Sequence, residues 1–104
     1  MRIPIHSPSD LGVAVRATRR ASKVRLDNLA ATAGVSKQFT SDVEHGKATV
    51  RLGLVLKLLS ELGVRLELDI PESAGPALAT LRAKQGLSPD RKSATQPSGS
   101  KQRG

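Results

Sequence analysis

The segment Leu29-Ala30-Ala31-Thr32-Ala33-Gly34-Val35-Ser36 constrains the fold of this chain more than any other stretch. A helical run from about Leu26 stops at Gly34, a residue that takes the left-handed conformation at a helix end without steric cost. Ser36 then caps a further run, about Lys37 to Glu44. Two short helices must therefore meet across a tight turn. Ala30 is small where one helix approaches the other, and Val35 plugs the angle between them.

The flanking sequence supplies the rest of a small helical domain. Pro4 blocks helix in residues 1–6, which read as an extended lead. Ser7 as N-cap, Pro8 at the first helical position and Asp10 as a capping-box acid start a helix to about Ala21. Its inward stripe is Leu11, Ala14, Val15 and Thr18. Arg16, Arg19, Arg20, Lys23 and Arg25 follow with no acid in residues 11–26. A fourth helix is expected over about Val50 to Leu62, with Leu52, Val55, Leu56, Leu59 and Leu62 facing the core. Leu54 and Leu58 fall off that stripe, which suggests a second buried surface.

After Gly63 the period changes from 3.6 to 2. Val64, Leu66, Leu68 and Ile70 alternate with Arg65, Glu67 and Asp69 until Pro71. A lone strand leaves its backbone groups unpaired, and pairing with the same strand of a second subunit is the simplest remedy. Pairing with residues 2–5 is a weaker alternative. The expected dimer interface is thus Val64, Leu66, Leu68 and Ile70 with Leu54 and Leu58. The fold class is mainly α: a four-helix domain over 7–70 ending in one β-strand, 64–70, that pairs across a homodimer. Residues 71–104 form an extension with a possible short helix from Gly75-Pro76 to Gln85, and 87–104 are expected to be disordered.

Composition narrows the function. The net charge of +8 suits a polyanion, because each cation laid on a phosphate releases counterions. No cysteine is present, so disulfides and thiolate metal sites are excluded. With His6 and His45 as the only histidines, no metal or other cofactor is expected. No apolar run reaches the ~18 residues of a membrane span, and a cytoplasmic protein is expected. One Phe and no Trp or Tyr argue against stacking on single strands. No nucleophile–base pair, phosphate-cradling loop or carboxylate pair stands out, which disfavours an enzyme, and no small-molecule ligand is evident.

The second helix of such a pair is the one that enters the major groove of duplex DNA. If Thr40 and Val43 face the core, Gln38, Ser41, Asp42 and His45 face away, and Lys37 sits at the N-terminal end. Lys37 suits guanine O6 and N7, Gln38 suits adenine, and Asp42 can accept from cytosine N4, with Ser41 beside them as a base contact. Ser36 can offer its hydroxyl or N–H to a phosphate. Phe39 is expected to fill space beside Thr40 rather than touch a thymine methyl.

Together with Val43, Glu44 and Gly46, the Leu29–Ser36 segment resembles the phage-repressor-like (Xre-type) helix-turn-helix family over residues 10–63. Ile5-His6-Ser7-Pro8 and the alternating strand after the fourth helix extend the likeness, over 5–71, to the HipB-type antitoxins. This resemblance implies a homodimer with paired C-terminal strands that binds a palindromic operator and a HipA-like Ser/Thr kinase toxin. It also implies a buried ion pair between Arg19 and Glu44, and phosphate contacts from His45, Lys47 and Arg51. The family often opens helix two with Thr-Gln, where this chain has Arg25-Leu26. Arg25 can replace the phosphate contact through its charge, but Leu26 cannot. Two other readings stand beside the antitoxin and autorepressor: a stand-alone Xre-type transcriptional regulator, and an interaction module that has lost DNA binding.

Overall fold

The computed structural model describes residues 1–86, so the expectation of disorder over 87–104 lies outside the described residues. Five α-helices are present there: α1 (Pro8–Ala21), α2 (Leu26–Ala33), α3 (Lys37–Glu44), α4 (Leu52–Glu61) and α5 (Gly75–Lys84). None is long and apolar enough to cross a membrane.

The helix ends follow from local chemistry. Ser7 Oγ accepts from Asp10 N–H at 3.2 Å, and the Asp10 carboxylate reaches back to the N–H of His6 rather than to the cap residue. Gly34, at φ 73, ends α2, and Val35 N–H then bonds to Ala30 C=O. Ser36 Oγ accepts from Phe39 N–H at 2.9 Å and opens α3.

Met1–Glu67 form one compact unit. Within it α2 packs against both α3 and α4, and α1 packs against α3. The core is Val15, Leu29, Ala33, Val43, Val55, Leu58 and Leu59, with Leu11, Val35, Phe39 and Leu62 packed on it. Gly12, which has no place in the expected stripe, is buried because α1 passes directly over the end of α3. A Cβ there would lie 2.5 Å from the Val43 carbonyl oxygen.

The face of α4 differs from expectation. Leu58, expected at a dimer interface, is completely buried in this chain's own core, and Leu54 is half-buried. Leu52 and Leu56, expected inside, are 62% and 44% exposed. With apolar residues all round the helix, periodicity fixed no unique inner side, and packing on α2 chose the turn bearing Val55, Leu58 and Leu59.

Residues 64–70 pair with no strand among the described residues, and residues 2–5 make no ladder with them. A long ion pair, Arg2 Nη2 to Glu67 Oε1 at 3.8 Å, joins the lead to this stretch. Val64 is half-buried, while Leu66, Leu68 and Ile70 are exposed. Leu68 begins a second compact unit, whose described part holds a 3₁₀ turn (Glu72–Ala74) running into α5. No residue of α5 is buried.

Candidate nucleic-acid interface

The polar face of α3 is built by the burial of its other face. Thr40, Val43 and Glu44 point inward, and Thr40 Oγ1 donates to Ser36 C=O at 3.1 Å. Phe39 is half-buried against the core, so its ring fills space. Lys37, Gln38 and His45 are exposed, and Ser41 and Asp42 are half-exposed beside them.

These side chains are partly tied to one another. Gln38 Nε2 donates to Asp42 Oδ1 at 2.8 Å, one helical turn on. The other carboxylate oxygen of Asp42 lies 3.6 Å from Lys47 Nζ. His45 Nδ1 lies 2.7 Å from Ser41 C=O, and since a carbonyl only accepts, Nδ1 carries the proton. Lys37 makes no ion pair among the described residues, although a cation at a helix N-terminus opposes the helix dipole.

Ser36 Oγ accepts at the cap with one lone pair, which leaves the hydroxyl hydrogen to donate. Lys47 and Arg51 are both exposed, Arg51 as the residue before α4 with no capping side chain.

The N-terminus of α2 shows how the chain manages without a Thr-Gln opening. Arg25 precedes the helix without capping it. Its Nε and Nη2 instead donate to the two carboxylate oxygens of Asp27, at 3.1 and 3.3 Å. Asp27 Oδ1 also accepts from Asn28 N–H at 2.9 Å, so the carboxylate supplies a cap from inside the first turn. The Arg25 hydrogen bond holds the Asp27 carboxyl below the usual carboxylate range, and the same bond pushes Arg25 above its ordinary value. Asp27 went unassigned in the sequence, where its place two residues after Arg25 was the available signal.

Behind the interface, Arg19 Nη2 donates to Glu44 Oε1 at 3.0 Å while Nε donates to Oε2. Arg19 Nη1 also donates to Val24 C=O at 3.0 Å. The Glu44 hydrogen bonds push Arg19 further above its ordinary value. The fork locks α1 to the end of α3.

No family model matches the chain. An uncharacterized HTH-type transcriptional regulator of Sinorhizobium fredii, y4mF, is 40% identical over 67 residues, covering 64% of this chain and 88% of that protein. Among solved structures, HipB in a HipB–O4 20mer complex superposes with a TM-score of 0.62 at 22% identity, covering 68% of this chain and 100% of its own. A HipA–HipB–O2–O3 complex gives the same values. The clp gene regulator ClgR from C. glutamicum has a TM-score of 0.53 at 29% identity, covering 62% of this chain and 82% of its own. At 22% identity the HipB likeness is one of fold.

Proposed function

Because the chain belongs to the HTH-type transcriptional regulators, we propose that it binds a palindromic operator as a homodimer, represses its own operon and neutralises a HipA-like kinase toxin. One observation carries the DNA-binding reading. The α3 face bearing Lys37, Gln38, Ser41 and Asp42 is turned outward on a helix whose opposite face is locked into the core. Lys37 and Gln38 sit in the first turn, where groove-reading helices touch bases. Ser36, Arg25, Lys47, Arg51 and His45 are the phosphate contacts of this reading.

The dimer follows from the exposed ribbon. Leu66, Leu68 and Ile70 alternate and are wet in a single chain. A two-fold axis beside them pairs the unpaired backbone and brings two α3 helices to one duplex. The half-buried Leu54 adds to that surface. The likeness to HipB chains seen with HipA and with O-site oligomers supports a kinase partner and an operator for this chain.

Titration of the full chain against duplex DNA tests the reading. Affinity is expected to fall steeply as salt rises, since phosphate contacts release counterions. A flat response would instead mark an interaction module that has lost DNA binding. The antitoxin role is tested by co-expression with any kinase-like reading frame beside the gene. Recovery of a stable complex supports it, and failure leaves a stand-alone regulator.

A further inference from the structure

Four of the five described helices are followed closely by a glycine at positive φ: Gly34, Gly46, Gly63 and Gly86. The exception is α1. Its end has the same hydrogen bonds as a glycine-terminated helix, Lys23 N–H to Arg20 C=O and Val24 N–H to Arg19 C=O. Yet the left-handed position, at φ 58, is held by Lys23. A residue with a Cβ is strained there, and glycine relieves that strain.

Lys23 does not stand alone. Arg16 and Arg20 precede it at helical spacing, and all three are exposed with no ion pair among the described residues. Arg16 and Arg20, one turn apart, repel each other along α1. Arg16 and Arg20 on α1 and Lys23 in the loop just after it thus form a run of cations with no anion paired to them among the described residues. The stripe runs down to the loop before Arg25, the residue that opens α2. The Arg19–Glu44 fork fixes that end of α1 to α3. In helix-turn-helix docking the first helix of the motif, here α2, crosses the DNA backbone, and the Lys23 loop leads directly into it.

We propose that Arg16, Arg20 and Lys23 form a second phosphate-contact surface along α1 and the loop that follows it, laid on the duplex backbone beside the start of α2. The inference rests on the DNA-binding reading above and enlarges its footprint beyond the motif itself. The contacts are to phosphates, so they add affinity and salt dependence but no base preference.

The test uses the full chain and a 30-base-pair duplex enriched by that chain from a randomised pool, with binding measured from about 50 to 200 mM salt. Each phosphate contact removed lowers the slope of log affinity against log salt by about 0.9. Lys23→Gly is expected to lower the slope by about that much while melting at or above the wild-type temperature, because the glycine relieves the strained backbone. The Arg16→Gln, Arg20→Gln, Lys23→Gly triple variant should lower it by about 2.7, so the fourfold salt increase costs it about 40-fold less affinity. Both variants should enrich the same base sequence as wild type. A folded Lys23→Gly or triple variant with an unchanged slope overturns the proposal. So does Lys23→Gly melting lower with its slope intact, which would make the lysine a helix-end ligand only. If the wild-type chain enriches no duplex, the DNA-binding reading falls and this proposal with it.

Discussion

Arg19 on α1 and Glu44 at the end of α3 meet as a two-pronged ion pair, with Arg19 13% and Glu44 2% exposed at their side chains. The pair joins residues 25 apart in sequence and sits between the two helices whose relative position sets the outward face of α3. Arg19→Ala would leave the Glu44 carboxylate buried without its partner. The expected cost is about 3–5 kcal/mol, read as a lower urea midpoint at unchanged slope. Replacing both, Arg19→Met with Glu44→Leu, should cost much less than either single change, since no unpaired charge remains.

A second prediction contrasts two glycines. A Cβ on Gly12 would meet the carbonyl oxygens of Val43 at 2.5 Å and Glu44 at 2.6 Å, and backbone cannot swing aside. Gly12→Ala should therefore force α1 off α3 and destabilise by ~1–3 kcal/mol. A Cβ on Gly53 meets nothing within 4 Å. Gly53→Ala should stabilise by ~0.4–1 kcal/mol, through lower entropy of the unfolded chain. Chemical denaturation of both variants reads the difference.

What these sites share explains which parts of the fold were legible in sequence. The limits of α2 and α3 were readable because Gly34 and Ser36 act through their immediate neighbours. The inner face of α4 was not, because the choice between Leu56 and Leu58 is made by α2 across the core. Gly12 was silent for the same reason: its constraint is a carbonyl more than 30 positions away. The outward side of α3 was legible from Thr40 and Val43 alone. The bonds that tie Gln38 to Asp42 and Arg25 to Asp27 were not drawn from spacing, though both lie within one turn.

The Arg25–Asp27 pair predicts an acid dependence. Asp27 is held below the usual carboxylate range in the folded chain. Its contribution to stability is thus complete above the ordinary carboxylate value and is lost as pH falls through the depressed one. Thermal melts of wild type and Asp27→Asn should differ by a constant amount near neutrality and converge below about pH 4. Both side chains are exposed, so molar salt should shrink the gap at neutral pH.

The ribbon offers a test of assembly. Leu68 is 82% exposed in the single chain, so a proline there disturbs nothing in the described core. Leu68→Pro removes a ladder donor and should shift the chain from dimer to monomer in sedimentation. It should also weaken duplex binding, because the two α3 helices no longer act on one molecule. An unchanged dimer would remove the strand-pairing scheme while leaving the helical domain as described.

The final prediction concerns how α3 reads sequence. Gln38 spends one amide hydrogen on Asp42, which leaves its Oε1 and its second N–H for the two edge groups of an adenine. Asp42, with one oxygen on Gln38 and the other near Lys47, is expected to act at the same base pair by holding that amide. Gln38→Ala should cost ~1–3 kcal/mol at the preferred base pair. Asp42→Ala should soften preference at the same base pair, and the double variant should lose less than the sum of the two. Sequences enriched from a randomised duplex pool by each variant give the comparison. If Asp42→Ala instead relaxes a separate C·G position and leaves the Gln38 position untouched, the two residues read independently and the bond between them is incidental to recognition.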